Sequence, residues 1–458
     1  MDFILLAIAL LTIFTAGIGI ALLLLPRTRR PSAVEAYGLA FLFGVAFVSL
    51  TSFCLGLFLA GRWLHWAITA ACLIAGAVGT MARRHSLKEL YLPKPERTFD
   101  RWVLVVLAFQ IAVVTWACYR LWLGWDALLI WEFKARIAFL SGGSIPLDYY
   151  QNPTGIWTHT SYPLLLPLTE AWVYSWLGRP DQVMVKLLLP FFYLAAVSLL
   201  FTGGARFGEQ RRLAAIAPTL LFFVPIAWIG EGSASSGYAD FPLAAFYLAS
   251  VIYLIEYWKS GDGAALRLMS ALAAVLFWVK QEGFTLWACV VLLAGIKAVR
   301  RRRPRELLIL ILPGALLFGG WRIFLTVTRA PLETDFLPPT LATLRSHLGL
   351  IPEICGGVIR EFLRWHKWGI LWPGFVCAAF LAIRSSNRAV TAVLLPSVFL
   401  PIACYSGIYL FSAWSPVTVH ISSSFSRLLL HVMPTALLLI VLARAPSATL
   451  RRRDMKPI

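Results

Sequence analysis

Long apolar stretches, most of them closed by arginine, lysine or a turn, follow one another along nearly the whole chain. A helix that crosses a bilayer needs about 20 mainly apolar residues. On that measure the pattern predicts spans near 3–25, 36–60, 63–81, 102–123, 183–202, 213–230, 238–257, 266–280, 284–299, 306–327, 367–383, 389–411 and 425–444. The segment 162–178 is apolar too, and whether it crosses decides the topology of everything after it. No internal repeat, low-complexity tract or separate soluble domain interrupts the pattern. The expected fold is an all-α polytopic membrane protein with about thirteen transmembrane helices.

Positive charge settles the reading of 162–178. If that segment does not cross, about two thirds of the 41 lysines and arginines fall in loops on one side, as the orientation bias of membrane proteins requires. Those loops hold Arg27, Arg29 and Arg30, the linker from Arg83 to Arg101, the run Arg300-Arg301-Arg302-Arg303, and the tail with Arg444, Arg451, Arg452, Arg453 and Lys456. If 162–178 crossed, the last two groups would face outward. It is therefore read as an amphipathic helix lying on or dipping into the outer leaflet. The amino end is then outside and the carboxyl end inside, which predicts a multi-pass plasma (inner) membrane protein.

Composition agrees. Apolar residues make up 59% of the 458 and charged residues only 14%, against about 25% charged in ordinary soluble chains. A cytosolic enzyme, a disordered chain and a nucleic-acid binder are thereby disfavoured, and the net charge of +19 reads as arginine at loop ends. Seven cysteines, six of them inside apolar runs, make no disulfide framework. Asp2 in place of a basic leader, before a stretch too long for a signal sequence, predicts a retained first helix. The basic linker 82–101, with Lys94, Pro95 and Arg97, suggests two units. These are 1–100, a three-helix membrane segment plus cytoplasmic linker, and 101–458, the main transmembrane core.

Ionisable groups at membrane-spanning helices cost about 2.5–3.5 kcal/mol each at mid-helix and mark function by default. Here they gather on the outer side. Asp126 follows Trp125 just after the 102–123 span, with Glu132, Lys134 and Arg136 beyond it. His159 and Tyr162 open the 162–178 segment. Asp240 follows the glycine- and serine-rich turn 232–237, and Lys280, Gln281 and Glu282 break a long apolar stretch. Arg427 and His431 stand four residues apart on one helix face. Taken singly, Asp126 reads as a solvated loop carboxylate, Asp240 as a helix cap before Phe241-Pro242, and Lys280 as a snorkelling lysine. Together they supply a base or metal site and an anion clamp.

Five segments in order carry a resemblance: Trp125-Asp126, His159-Thr160-Ser161-Tyr162-Pro163-Leu164, Tyr238-Ala239-Asp240-Phe241-Pro242, Lys280-Gln281-Glu282-Gly283, and Arg427 with Pro434. Over roughly 100–445 the chain resembles the GT-C superfamily of integral membrane glycosyltransferases. It is similar in flavour to the family 39 mannosyl- and aminoarabinose-transferase-like bacterial enzymes. It departs from that pattern in a lone Asp126 where the family has an Asp-Glu pair, and in Ser161-Tyr162-Pro163 where the family has a double proline.

The resemblance implies transfer of a sugar from a polyprenyl-phosphate carrier to an acceptor outside the cytoplasm, with membrane lipid as surroundings. In it Asp126 is the general base of an inverting displacement, and Lys280 and Arg427 bind the donor phosphate. Asp240 orients the acceptor or, with Asp126, holds a divalent cation such as magnesium, manganese or calcium. Trp125, Glu132, Lys134, His159, Tyr162, Glu282 and His431 are expected to touch substrate or support the site. The residues leave two other classes open. A transporter or flippase of lipid-linked saccharide would place its charges near the midplane on broken helices. An O-antigen ligase or polymerase type of enzyme would lean on Arg360, Arg364 and His366.

Overall fold

A computed structural model describes residues 1–26, 31–92, 98–208, 211–331, 335–384 and 387–443. Arg27, Arg29, Arg30, Lys94, Pro95, Arg97, Arg444, Arg451, Arg452, Arg453 and Lys456, used above to orient the chain, lie outside the described residues. All regular elements among the described residues are helical. The principal ones are α1 (Asp2–Leu24), α2 (Ala33–Gly56), α3 (Gly61–Ala82), α4 (Thr98–Arg120), α5 (Glu132–Leu140), α6 (Leu165–Leu177), α7 (Leu189–Phe207) and α8 (Arg211–Phe222). They continue as α9 (Asp240–Ser260), α10 (Gly263–Val279), α11 (Gly283–Arg300), α12 (Pro304–Thr328), α13 (Ile351–Phe362), α14 (Leu371–Ile383), α15 (Arg388–Ile408) and α16 (Val417–Leu442).

Ten helices among the described residues are long and apolar enough to cross a membrane, and α10 and α14 are shorter apolar ones. The chain is thus a multi-pass membrane protein by the length and composition of its helices. Local chemistry sets the boundaries. Ser32 caps α2 by accepting from Glu35 N–H at 3.1 Å, and Asp262 caps α10 by accepting from Ala264 N–H at 2.9 Å. The helix predicted over 213–230 stops at Phe222. Pro225 opens a short turn there, and Trp228 folds back to stack on Phe222 at 5.2 Å. The one predicted over 367–383 begins only at Leu371, because Gly369 breaks the chain at a positive φ.

Packing among α1, α2 and α3 is close because the helices meet through small residues. A Cβ on Gly17 would fall 1.7 Å from the Ala40 carbonyl oxygen, and one on Gly79 would fall 2.1 Å from that of Gly19. These helices are not walled off from the rest. They share one continuous apolar core with α6, α7, α9, α10 and α16, and Trp278 Nε1 donates to Ser49 Oγ at 2.8 Å.

Two polar layers mark opposite ends of the bundle. At the lower end, Arg206 of α7 bridges Glu35 of α2 and Glu256 of α9, each at 2.5 Å. Tyr257 donates to Glu306 of α12 at 2.5 Å in the same layer. The upper end carries the starts of α1, α3 and α9, the turn after α10, and the long connections 121–164 and 335–370.

The 162–178 segment forms α6, but not as a surface helix. Eleven of its thirteen residues are buried, Thr169 and Glu170 included. It is enclosed by α1 and α2 on one flank and by α5 on the other, and His65 of α3 stacks on its Trp172 at 5.1 Å. Its start is held by Ser49 Oγ donating to the Leu164 carbonyl at 3.0 Å, and its middle by Trp172 Nε1 donating to Thr12 Oγ1 at 3.1 Å. Just beyond its end Arg179 pairs with Asp2 at 2.6 Å. It enters and leaves on the upper side: its start lies beside Ser49, well inside α2, and the residue just past its end lies beside Asp2 at the start of α1. An apolar surface on every side is what a helix buried inside protein requires.

Candidate functional site

The turn between α10 and α11 sets the first cation. Lys280 follows the last helical residue in an extended conformation, which swings its side chain back under the start of α9. Asp240 is the first residue of α9 and fully buried. Its Oδ1 accepts from Lys280 Nζ at 2.8 Å and lies 2.9 Å from His431 Nε2. Glu282 Oε1 stands 3.0 Å from the same ammonium. Tyr405 ties the group together, its hydroxyl 3.2 Å from His431 Nδ1 and 3.4 Å from the Glu282 carbonyl. Burial alone would push Lys280 down. The Asp240 and Glu282 carboxylates outweigh it and hold the ammonium above its ordinary value.

One helical turn before His431, Arg427 joins the second carboxylate. Its Nη1 forms an ion pair with Asp126 Oδ2, and its guanidinium lies over the Tyr238 ring at 5.4 Å. Tyr238 Oη accepts from the Asp126 backbone N–H at 3.2 Å. Burial first, then the Asp126 carboxylate, push the Tyr238 phenol up to about 12, so it stays neutral. The turn before α9 lets Arg427 approach. Gly232 has φ +80, and a Cβ there would sit 3.1 Å from Arg427 Cγ and 3.4 Å from Asp240 Cβ.

Asp126, Asp240, Lys280, Arg427, Glu282 and His431 therefore meet at the upper end, from four stretches of chain. Their accessibility differs. The Asp126 side chain keeps 25% of its surface and Arg427 19%, whereas Asp240 has none. Three buried polar atoms of the cluster, Asp240 Oδ2, Glu282 Oε2 and Arg427 Nε, have no hydrogen-bond partner among the described residues. In a folded chain such atoms are rare, and they fit a cluster shaped for a polar ligand.

The remaining expected residues divide. Lys134 Nζ donates to the His159 carbonyl at 2.6 Å, between the rings of Trp131 and Tyr162. The His159 and Tyr162 rings lie 4.6 Å apart, tilted to one another. This loop is fastened to the cluster, because Gln281 Nε2 donates to Ser161 Oγ at 2.5 Å beside Lys280. Glu132 does not join. It accepts from Tyr174 at 2.9 Å and Gln182 at 3.2 Å, holding α5 against α6. Trp125 is 73% exposed. Tyr238, Tyr405 and Gly232 were missed as site residues. Only Tyr238 had a signal, its place in the Tyr-Ala-Asp-Phe-Pro segment.

A divalent cation between Asp126 and Asp240 does not fit this donor set. Asp126 is already neutralised by Arg427, and Asp240 by Lys280 with His431 beside it. Among the described residues no three His, Cys, Asp or Glu side chains gather as metal ligands would. Compared with known proteins, the chain matches no family model, no curated protein and no solved structure.

Proposed function

We propose that the protein is a membrane glycosyltransferase that moves a sugar from a polyprenyl-phosphate donor to an acceptor on the outer side of the inner membrane. The observation that carries the reading is the meeting of two cations with a part-exposed carboxylate at one end of the bundle: Lys280, Arg427 and Asp126. A leaving phosphate needs the first two, and an attacking hydroxyl needs the third. The ten long helices, with α8, α10 and α14, make thirteen crossings, and α6 stays in the outer half as part of the protein interior.

Asp126 is the general base. It takes the proton of an acceptor hydroxyl as the oxygen attacks the anomeric carbon, the bond to the phosphate oxygen breaks, and the configuration inverts. Arg427 and Lys280 stabilise the lipid phosphate that departs. Arg427 also links the two halves of the reaction. A phosphate at its guanidinium competes with Asp126 for the same donors, so donor binding frees the carboxylate to act as base. Asp240, wholly buried, is a positioning residue that aims Lys280 and His431.

The carrier's tail has a fitting neighbour. A cavity of about 200 Å³ lies beside Gln281 and Ser161, walled by Phe277, Phe318 and Trp321. It adjoins α12, most of whose surface is uncovered apolar residues such as Leu316 and Ile323. The transporter reading has less support, since Asp240 opens one helix and Lys280 follows another instead of sitting on a broken helix at mid-depth.

Mass spectrometry of the purified protein tests the reading. Polyprenyl phosphate or its glycoside co-purifies with the wild type and is depleted in Lys280→Ala/Arg427→Ala. Equal lipid content in both would remove the phosphate site.

A further inference from the structure

A lysine that played no part in the cluster above stands next to it. Lys367, between α13 and α14, donates from Nζ to Ser426 Oγ at 3.0 Å, and Ser426 is the neighbour of Arg427 on α16. The hydroxyl in turn donates to Glu361 Oε2 at 2.5 Å, and Glu361 is also paired with Arg364 at 2.8 Å. That serine bond uses one of the three ammonium donors of Lys367. No carboxylate stands within ion-pair distance of it among the described residues, although Glu361 and Glu231 are in its wider surroundings. The pressure on it is of the opposite kind. Burial, then the charges of Arg364, and further down Arg427, push the ammonium below its ordinary value. A half-buried ammonium held by a serine hydroxyl, with no carboxylate in contact, gains a direct counter-charge when an anion arrives.

Resting on the phosphate-site reading of Arg427 and Lys280, we infer that Lys367 forms a second phosphoryl subsite beside Arg427, so the carrier of the donor proposed above is a polyprenyl diphosphate in place of the monophosphate. One phosphoryl group lies at Lys280 and Arg427. The other lies between Arg427 and Lys367 and takes the two donors that Ser426 leaves over. Ser426 fixes the ammonium in place before the ligand binds, and Glu361 fixes Ser426.

Binding of farnesyl phosphate and farnesyl diphosphate to the full chain in detergent tests this, with inorganic phosphate and pyrophosphate as tail-free probes. The wild type binds each diphosphate at least about tenfold more tightly than the matching monophosphate, a gap of about 1.4 kcal/mol. Lys367→Ala brings the pair within about twofold while monophosphate affinity holds, and Lys367→Arg keeps the preference. Thermal unfolding checks that each variant is folded, and Lys367→Gln serves if the alanine variant is not. Equal wild-type affinities, or a preference that survives both Lys367→Ala and Lys367→Gln, would overturn the second subsite and leave the monophosphate clamp standing. Failure of every probe to bind would remove the second subsite and the clamp together.

Discussion

Arg427 and Asp126 are bound to each other across 301 positions of sequence. The arginine stands ten residues into α16, and the aspartate follows the loop that ends α4. The pair closes the upper cluster on its accessible side, while Asp240 and Lys280 close it within. The two carboxylates therefore have different duties, and they can be separated by experiment.

Asp240→Ala leaves Lys280 buried with Glu282 as its remaining partner. Losing one member of a buried pair costs about 3–5 kcal/mol, so the thermal unfolding midpoint in detergent falls sharply. Asp126→Asn removes a part-exposed pair, costing about 1 kcal/mol or less, and the midpoint stays close to that of the wild type. The reverse order would exchange the two assignments.

Gly232→Ala puts a methyl group against Arg427 Cγ and Asp240 Cβ at a backbone angle that side chains avoid. The expected result is a folded protein with weakened donor binding, seen as a raised donor KM. An unchanged KM would show that Arg427 does not need this approach.

Gln281→Ala cuts the bond that fastens the 159–163 loop to the Lys280 turn. Activity falls with little change in stability, and Gln281→Asn does not restore it, because the shorter side chain cannot reach Ser161. A fully active alanine variant would make the tie incidental.

Chelation with EDTA leaves turnover unchanged, since Arg427 and Lys280 supply the positive charge in place of a metal. Loss of activity that magnesium or manganese restores would reinstate the cation between the two aspartates.

Much of the architecture was legible because apolar runs of membrane length have few other uses. The cluster at the upper end was legible for a related reason: Asp126, Asp240, Lys280 and Arg427 stand in or beside apolar spans, where an ionisable group is costly unless it is paired. The partners themselves were not. Nothing local to Arg427 distinguishes Asp126 from Asp240, and only the fold pairs the first with arginine and the second with lysine. The depth of α6 was hidden too. Its mix of leucine, tryptophan and tyrosine suits a membrane surface as well as a protein interior, and the covering helices α1–α3 are remote in sequence. The last helix begins at Val417 although a start near 425 was expected, since Ser422-Ser423-Ser424 does not read as a span; the added turns bring Ile421 against Gly357 of α13. Lys367 went unnoticed inside Trp365-His366-Lys367-Trp368, which reads as an interfacial belt.

Sugar transfer by proteoliposomes carrying wild type or Asp126→Asn is the most direct measurement of the central claim. A labelled pool of polyprenyl-linked sugars is the donor, and outer-membrane and lipid acceptors are supplied from outside. Wild type moves label to an acceptor with inverted anomeric configuration, and the folded asparagine variant is slower by several orders of magnitude. Transfer by the variant at the wild-type rate would contradict the claim, as would retained configuration.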